Sequence, residues 1–391
     1  MIMGMWKEYR LGEITSIIGD GLHGTPQYDG NGNYLFINGN NLRQGRIVIK
    51  PDTNMVNEQK YLKYKKSLSN KTILLSINGT IGNLALYRNE KCVLGKSVCY
   101  INTTDIIDRL FLYYVFTNGD FQNYLIEIAT GTTIPNVPLK GLREYSFNVP
   151  SFSEQCAIAA ILSSLDDKID LLRRQNATLE KMAETLFRQW FVEEAKDDWE
   201  DITVADVAII NQLTKNKNYP YSEIQYLDTG SLTEGTINGF QYYLLDDAPS
   251  RAQRLVNHND ILVSLVRPNQ KHYGIIKNPS SNLVVSTGFC VLTCKSINPH
   301  FLYLFLTSNE MTEFLHSVAE GSTSAYPALK PSDIARLELK RPPADKLSEF
   351  STYADSAWEK IAYNQTQINT LTQLRDTLLP KLMDGAIRVK I

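Results

Sequence analysis

Residues 153–196 read SEQCAIAAILSSLDDKIDLLRRQNATLEKMAETLFRQWFVEEAK. Every third or fourth position in this stretch belongs to one row of mostly apolar residues, and the positions between carry most of the charges. The row consists of Ile158, Leu162, Leu165, Ile169, Leu172, Asn176, Leu179, Ala183, Leu186 and Trp190. Such a heptad row, kept over several heptads, predicts a coiled-coil helix that needs a partner helix.

The C-terminal stretch, residues 344–391, supplies the predicted partner. Apolar residues repeat the same spacing from Leu347 to Leu371, and the pattern ends near Pro380. Each row also contains one asparagine, Asn176 or Asn364. A buried asparagine can fix the register of a helix pair at some cost in stability, and a partly exposed asparagine is the alternative. We expect two long helices that pair antiparallel.

The chain contains two copies of one sequence unit. Phe111-Leu-Tyr-Tyr-Val-Phe has a twin in Phe301-Leu-Tyr-Leu-Phe-Leu, and Ala129-Thr-Gly-Thr-Thr has one in Ala319-Glu-Gly-Ser-Thr at the same offset. Each copy ends in a proline that is followed by one heptad helix. We therefore divide the chain into a first globular domain (residues 1–152), a central helix (residues 153–196), a second globular domain (residues 197–343) and a C-terminal helix (residues 344–391).

Each globular domain has a mixed pattern. Longer apolar stretches at Phe111–Ile128 and Phe301–Val318 predict one helix each. Short apolar runs bounded by Gly, Asn and Pro predict strands at Thr72–Ile77, Val98–Ile101, Ile261–Val266 and Phe289–Leu292. The expected fold class is α+β: two mixed α/β domains in a pseudo-twofold tandem repeat, separated by two long antiparallel coiled-coil helices.

Composition narrows the class of protein. The chain has 391 residues, a formal net charge of −2 and five cysteines. No run of about eighteen apolar residues exists, and residues 1–10 lack the apolar segment of a signal peptide. The odd number of cysteines is typical of a reducing compartment, so we expect a cytoplasmic protein. No cluster of His and Cys accompanies Cys290 and Cys294, and we expect neither a metal site nor a cofactor.

Three motifs resemble those of type I restriction-modification specificity subunits. The closing run, Leu374-Arg-Asp-Thr-Leu-Leu-Pro-Lys-Leu-Met-Asp-Gly-Ala-Ile-Arg-Val, is similar to their C-terminal signature. Leu186-Phe-Arg-Gln-Trp-Phe-Val-Glu resembles their central conserved region, and Asp20-Gly-Leu-His-Gly-Thr-Pro resembles a loop of their target recognition domains. The resemblance covers essentially the whole chain, including its duplicated layout.

The resemblance implies a non-catalytic DNA-binding subunit with two target recognition domains, each of which reads one half of a bipartite site in double-stranded DNA. The paired helices would be the spacer and the docking surface for two methyltransferase (modification) subunits, and restriction subunits would join that core. The assembly would methylate adenine and cleave DNA. The alternative is a duplicated scaffold that bridges other proteins and does not bind DNA. A self-sufficient methyltransferase or nuclease is disfavoured, because no complete cofactor or metal motif is present.

Polar loops supply the candidate DNA-contacting residues. They are His23, Thr25, Gln27, Tyr28, Asn38, Asn40, Asn41, Ser76, Asn78 and Thr80 in the first domain, and Lys215, Lys217, Arg267, Asn269, Gln270 and Lys271 in the second. Arg267 has the donors that read guanine in the major groove and Asn269 the groups that read adenine, whereas the lysines suit phosphate. The Gly131-Thr-Thr and Gly321-Ser-Thr loops occur in both copies, which favours a structural role for them.

The helices carry candidate partner-binding residues. Apolar side chains exceed what a two-helix seam needs at Phe187, Trp190, Phe191, Leu378 and Leu382. We expect some of these residues to lie under a partner subunit.

The two domains differ in charge. Residues 1–150 hold 16 Lys and Arg against 12 Asp and Glu, a balance of +4, whereas residues 197–343 hold 12 against 16, a balance of −4. The second domain therefore cannot rely on bulk attraction to phosphate. Either its basic residues cluster on one face, or partner subunits supply much of the contact with the DNA backbone.

Overall fold

A computed structural model describes residues 6–321 and 327–389 of the chain. Contacts between residues divide the chain into two compact units, Met1–Asp170 with Ile368–Ile391, and Leu171–Gln367. We call them unit 1 and unit 2. Each unit therefore contains one globular domain together with a part of both long helices.

Unit 1 contains a domain of short strands and helices. Its strands are β1 (Lys7–Arg10), β2 (Thr15–Asp20), β3 (Tyr34–Ile37), β4 (Leu42–Arg43), β5 (Arg46–Ile47), β6 (Met55–Val56), β7 (Thr72–Ser76), β8 (Leu84–Leu86), β9 (Cys92–Leu94), β10 (Val98–Thr103) and β11 (Ser146–Val149). Its helices are α1 (Glu58–Tyr64), α2 (Arg109–Thr117), α3 (Gly119–Ile128), α4 (Leu139–Glu144) and the first part of α5 (Phe152–Arg188). The strands form the sheets β2-β10-β7-β8 and β6-β3-β9 and the pairs β1-β11 and β4-β5.

Unit 2 begins within α5, which ends in a π-helical turn, Gln189–Glu193. Its strands are β12 (Asp201–Thr203), β13 (Ala208–Ile210), β14 (Glu223–Leu227), β15 (Leu232–Thr233), β16 (Thr236–Ile237), β17 (Gln241–Leu244), β18 (Ala252–Leu255), β19 (Ile261–Ser264), β20 (Tyr273–Ile275), β21 (Leu283–Ser286), β22 (Phe289–Cys294) and β23 (Glu338–Lys340). Its helices are α6 (Val204–Val207), α7 (Pro299–Thr307), α8 (Asn309–Glu320), α9 (Pro331–Ala335) and most of α10 (Ala344–Met383). The sheets are β13-β22-β19-β20 and β17-β14-β21-β18, with the pairs β12-β23 and β15-β16.

The two domains share the strand order of one sheet and the register of a parallel strand pair in the other. The antiparallel sheet β13-β22-β19-β20 of unit 2 repeats the sheet β2-β10-β7-β8 of unit 1. In the second sheet of each domain two strands run parallel, with Phe36 opposite Val93 in unit 1 and Tyr226 opposite Val284 in unit 2. The structure therefore confirms the predicted α+β class and the tandem repeat.

A short hairpin recurs in both domains at the same place. Strands β4 and β5 are joined by Gln44-Gly45, and strands β15 and β16 by Glu234-Gly235. The φ angles are +49° and +74° in the first turn and +44° and +74° in the second. Two-residue hairpins favour turns with positive φ at both central residues, and glycine adopts that conformation without steric cost.

The apolar stretches predicted as single helices are each broken once. Asn118 lies between α2 and α3, and Ser308 lies between α7 and α8; both have extended ψ angles, 146° and 152°. The Asn118 side chain accepts a hydrogen bond from the amide of Gly119, and the Ser308 hydroxyl accepts one from the amide of Met311. The prediction of one continuous helix was wrong, because an N-cap side chain starts a new helix at these positions.

The long helices pair antiparallel within each unit. In unit 1, Arg388 donates to Glu154 at 2.6 Å and Arg375 donates to Asp166 at 2.9 Å. In unit 2, the Asn364 amide donates to Asn176 Oδ1 at 2.8 Å, and Asn364 is fully buried. Lys346 also lies 3.3 Å from Glu194. In both units, residues with higher numbers in the central helix contact residues with lower numbers in the C-terminal helix, as an antiparallel pair requires.

Each half of the helix pair also belongs to the core of its domain. Leu162 and Leu382 lie in the core of unit 1 with Phe111, and all three are at most 2% exposed. In unit 2, Ala183 and Phe350 are fully buried in the core that contains Phe301. The helices therefore pack on two sides, against each other and against the globular domain.

Candidate nucleic-acid interface

The loops that follow β7 and β19 occupy equivalent positions in the two domains. In unit 1, Val137 donates its amide to Ile77 O at 2.8 Å, and Asn78 pairs with Asn136. In unit 2, Leu329 donates its amide to Leu265 O at 2.7 Å, and Val266 pairs with Ala328. Both loops are therefore held by a short ladder to the segment that precedes the next helix.

The two loops turn with different residues. Glycines hold the positive φ angles in unit 1, +74° at Gly79 and +88° at Gly82. In unit 2 the same conformation is taken by Arg267 (+49°) and Lys271 (+54°), on either side of the one-turn helix Pro268–Gln270. A left-handed conformation costs a residue with a side chain roughly 1–2 kcal/mol. The fold imposes this cost on two long polar residues.

Buried anchors hold the unit 2 loop in this conformation. Pro268 is buried, and the amide of Arg267 donates to Pro327 O at 3.1 Å. Arg267, Asn269 and Gln270 are exposed. The arrangement presents the three candidate base-reading side chains on a fixed backbone, which lowers the conformational entropy lost on binding.

The loop that follows β2 contains the next candidates of unit 1. Leu22 is tied to β9 by its amide, which donates to Leu94 O at 2.7 Å. Beyond it, His23, Thr25 and Gln27 are exposed, and Tyr28 is 40% exposed with its ring edge-on to Phe36 at 5.4 Å. The His23 ring also lies within hydrogen-bond distance of Asp20.

Two predicted DNA contacts are wrong, because their side chains are already used inside the domain. Asn41 is 4% exposed; its Oδ1 accepts from the amide of Asn38, and its Nδ2 donates to Val48 O and Thr53 Oγ1. Ser76 is fully buried, and its hydroxyl accepts from the amide of Asn83 at 2.8 Å. These residues shape the loops rather than face a ligand.

The neighbouring candidates are more accessible. Asn40 and Thr80 are exposed, and Asn78 is half-buried with its amide 3.2 Å from Asn136 Oδ1. Asn38 is half-buried and accepts from Ser97 Oγ at 3.2 Å. Their DNA contacts stay predictions.

The three candidate phosphate-binding lysines of unit 2 differ. Lys217 is exposed and Lys215 is half-buried. Lys271 Nζ lies 3.2 Å from Glu234 Oε1 and 3.4 Å from Asn309 Oδ1. Its ammonium group has partners inside the unit, so Lys271 is a weaker phosphate candidate than Lys217.

The expected surplus of apolar side chains on the helices is explained within the chain. Phe187 and Phe191 are 6% and 8% exposed, and the Phe191 ring lies 4.9 Å from Phe301 and 5.1 Å from Phe350. Leu382 is 2% exposed. Trp190 and Leu378 are half-buried and pack on the same two cores. Phe187, Phe191 and Leu382 are therefore not surplus, because the helices pack against the globular domains as well as against each other. Contact of Trp190 and Leu378 with a partner subunit stays a prediction.

The recurring hairpins place opposite charges against α5. In unit 1, Arg46 donates to Asp170 at 2.9 Å. In unit 2, a Cβ at Gly235 would lie 3.3 Å from Glu180 Oε1, so the turn lies directly on the helix. Burial, followed by the charges of Glu184 and Glu234, raises the pKa of Glu180 to about 7. The unit 2 hairpin therefore places Glu234, which is paired with Lys271, near the half-buried Glu180, where the unit 1 hairpin has the Arg46–Asp170 ion pair.

A buried polar network ties α10 to the unit 2 domain. His300, 1% exposed, lies 2.8 Å from Asp355 through Nδ1 and 2.8 Å from Lys277 Nζ through Nε2, and its ring stacks on Trp358. Burial lowers the pKa of His300 to about 4, with the Lys277 charge as the next cause. The imidazole is therefore neutral at pH 7.

Within residues 6–321 and 327–389, no group of three or more His, Cys, Asp or Glu could hold a metal ion. No helix in that part of the chain is long and apolar enough to cross a membrane.

The Gly131-Thr-Thr loop, expected to be structural, has a positive φ angle of +94° at Gly131. Ser322 and Thr323 of its predicted twin lie outside the described residues.

The family profile of the type I restriction modification DNA specificity domain matches the chain twice, at residues 3–181 and 196–373. The chain belongs to this family, which confirms the resemblance found in its motifs. It is 28% identical over 351 residues to the type I restriction enzyme MjaIX specificity subunit of Methanocaldococcus jannaschii, covering 82% of this chain and 78% of that one. It is 24% identical to the type I restriction enzyme HindI specificity subunit of Haemophilus influenzae, covering 98% of this chain and all of that one.

A solved structure shares the fold. The crystal structure of the type I restriction-modification system S subunit from M. genitalium superposes with a TM-score of 0.63 at 19% identity, covering 98% of this chain and 96% of that chain.

Two features of the surface were not predicted. One is helix α1: its lysines form a run of charges in the sequence, but the sequence does not show which loop they lie beside. The other is the exposed apolar residues of the central helix and its last turn, among them Met182 (50% exposed) and Val192 (60%). These residues lie off the heptad rows, so a search along the rows passes over them.

Proposed function

We propose that this chain is the non-catalytic, sequence-specific DNA-binding subunit of a type I restriction-modification enzyme. Each globular domain reads one half of a bipartite site, and the subunit directs adenine methylation and cleavage by partner subunits in the cytoplasm. The partners are two methyltransferase subunits and the restriction subunits. The long helices form the spacer between the two half-sites and the docking surface for the methyltransferases.

The duplicated framework with unlike loops is the observation that carries this proposal. The parallel strand pairs have the same register, Phe36 opposite Val93 and Tyr226 opposite Val284. On this common framework, the loop after β7 turns on glycines and the loop after β19 on Arg267 and Lys271. A shared scaffold with different polar loops suits two readers of two different short sequences, since base contacts specify the sequence.

The antiparallel helix pair supports the spacer role. Within each unit the two helices run antiparallel, and a rigid helix pair suits a spacer, since twofold readers of a duplex bind half-sites at a fixed separation along its axis. Helix α5 has 37 residues, which corresponds to a length of about 55 Å at ~1.5 Å per residue.

Binding selection on a random duplex library tests the proposal. The purified chain, assembled with its methyltransferase subunits, is expected to enrich two short sequences around a constant gap. Enrichment of a single uninterrupted sequence would contradict the assignment of one half-site to each domain. Assembly with the partners but no enrichment of any duplex would favour the duplicated scaffold that does not bind DNA.

A further inference from the structure

Helix α1 and the two residues after it form a basic segment. Within seven residues the chain places Lys60, Lys63, Lys65 and Lys66. Lys63 and Lys65 are exposed, and the other two are half-buried. None of the ion pairs found among residues 6–321 and 327–389 involves these four lysines. Their charge is thus not neutralised by a carboxylate of the described chain.

The segment lies beside the loop that contains His23 to Tyr28. A small cluster of Phe36, Val56 and Val93 forms one face of the sheet β6-β3-β9. Tyr61 and Tyr64 of α1 pack on this cluster, and so does Leu22, the residue before His23. The Tyr61 ring also stacks on Tyr34 at 4.3 Å. The basic helix and the predicted reading loop are therefore fixed to the same face of the same sheet.

Unit 2 has the opposite charge at the equivalent place. The strand pair with Tyr226 opposite Val284 is the counterpart of the pair with Phe36 opposite Val93. On Tyr226 and Val284 pack Leu245 and Ala248, which flank a single turn instead of a lysine-rich helix. The turn exposes Asp246 and Asp247. One domain thus carries four lysines and one glutamate, Glu58, where the other carries two aspartates.

This exchange makes up part of the difference in charge between the domains. Residues 1–150 have a surplus of four basic residues, 16 against 12. Residues 58–66 hold four lysines and one acidic residue, Glu58, a balance of +3. Lysine is a compact, flexible point charge, which suits phosphate oxygens more than the planar edges of bases.

We propose that Lys60, Lys63, Lys65 and Lys66 form a binding site for the phosphate backbone of duplex DNA, next to the half-site that unit 1 reads. The inference rests on the proposed DNA-binding function and deepens it. Unit 1 supplies the larger part of the salt-dependent affinity, and unit 2 depends on base contacts and on its partner subunits. The site contributes to binding of every duplex, with or without the target sequence.

Salt titration of DNA binding tests the site. The probe is the assembled complex with a duplex that contains the enriched sequence, and with the same duplex after both half-sites are scrambled. The dissociation constant is measured between about 50 and 200 mM salt, where each lost phosphate contact lowers the slope of log affinity against log salt by about 0.9. The double variant Lys63→Ala with Lys65→Ala is expected to lower the slope by about 1.8 on both duplexes. The ratio of the two affinities is expected to stay unchanged.

Two control variants separate this site from general charge effects. Lys7→Ala with Arg10→Ala removes the same charge from β1, whose Tyr9 packs on the other core of unit 1, and is expected to keep the wild-type slope. Lys63→Arg with Lys65→Arg keeps the charge and is also expected to keep the slope.

The proposal is overturned if the alanine pair has the wild-type slope, or if the β1 pair lowers the slope equally. It is also overturned if the arginine pair behaves like the alanine pair. These outcomes leave the proposed function intact, because the wild-type complex still prefers the enriched sequence over the scrambled one. Absence of that preference in the wild type is the separate failure of the proposed function.

Discussion

Unit 1 and unit 2 share one four-stranded sheet, the same parallel register and the same hairpin, yet the charges at equivalent surface positions differ. Unit 1 has a basic helix beside its reading loop and an ion pair, Arg46–Asp170, under its hairpin. Unit 2 has an acidic turn and the half-buried Glu180 at these two places. The framework residues are buried and constrained by packing, whereas the loops are free to vary in charge. On the proposed function, the two domains would bind DNA with a shared scaffold but with different shares of backbone and base contacts.

Replacing a buried ring of unit 2 is expected to have the largest effect. Phe191→Ala removes a ring that packs on Phe301 and Phe350, and we expect a loss of about 3–5 kcal/mol in the free energy of unfolding of unit 2. Urea unfolding followed by tryptophan fluorescence measures it, since Trp190, Trp199 and Trp358 lie in unit 2 and only Trp6 lies in unit 1.

Met182→Ala is the matched control on the same helix. Met182 is 50% exposed, so its replacement should change the free energy of unfolding of unit 2 by less than about 0.5 kcal/mol. Wild-type stability of Phe191→Ala together with lost methyltransferase assembly would contradict the core assignment and favour a partner-binding role for this ring.

Arg267→Ala sharpens the comparison of the two reading loops. We expect the discrimination between correct and incorrect bases to fall by about 1–3 kcal/mol in one half-site only, because a bidentate base contact is worth that amount. Binding to duplexes with single-base changes in each half-site measures it. The matched variant in unit 1 is Thr80→Ala, on the equivalent exposed loop, and it should affect only the other half-site. Equal losses in both half-sites after either change would show that the domains do not read separately.

Glu180→Gln tests the charge of the unit 2 hairpin. The folded pKa of about 7 lies above the ordinary value of 4.5, so the folded chain holds this proton more tightly than the unfolded chain does. The carboxylate therefore lowers wild-type stability progressively as the pH rises from 4.5 to 7, and the neutral glutamine does not. We expect the variant to be more stable by on the order of 1 kcal/mol at pH 8. Solvent screening keeps the gain below the full value that the pKa shift implies.

Urea unfolding at pH 4 and pH 8 distinguishes this effect from packing. The stability difference between Glu180→Gln and the wild type should largely disappear at pH 4. A difference of the same size at both values would attribute it to shape rather than to charge.

The smallest effect is expected at the equivalent place in unit 1. Arg46 and Asp170 keep side-chain exposures of 51% and 36%, and an exposed pair contributes about 0–1 kcal/mol. Arg46→Ala should lower the stability of unit 1 by no more than this, and added salt should reduce the loss. Hydrogen exchange of the α5 amides near Asp170 measures it. A loss of several kcal/mol would contradict the expectation that this exposed ion pair contributes little to the stability of unit 1.

The periodic and repeated features were predictable from the sequence. The heptad rows from Ile158 and from Leu347 gave both long helices, and the twin segments at Phe111 and Phe301 gave the duplicated domains. These features depend on regular spacing of apolar residues, which local sequence displays directly. The breaks at Asn118 and Ser308 carried a local signal as well, a capping residue inside an apolar stretch, but periodicity outweighed it.

Features that depend on the tertiary contacts of single side chains were not predictable. Ser76 and Asn41 look like ligand-binding loop residues, and only their hydrogen bonds to Asn83 and Thr53 show a structural role. Phe191 looked surplus because Phe301, more than a hundred residues away, was not known to face it. The loops have no periodicity, so the sequence does not show which of their side chains face outward.

The central claim, that two domains of one chain read two halves of one site, is tested most directly by genome-wide mapping of methylated adenine. Cells that carry the chain with its partner subunits are compared with cells that lack only this chain. The account predicts a methylated motif of two short sequences around a constant gap, lost completely when the chain is absent. Methylation of that split motif in the absence of the chain would contradict the account.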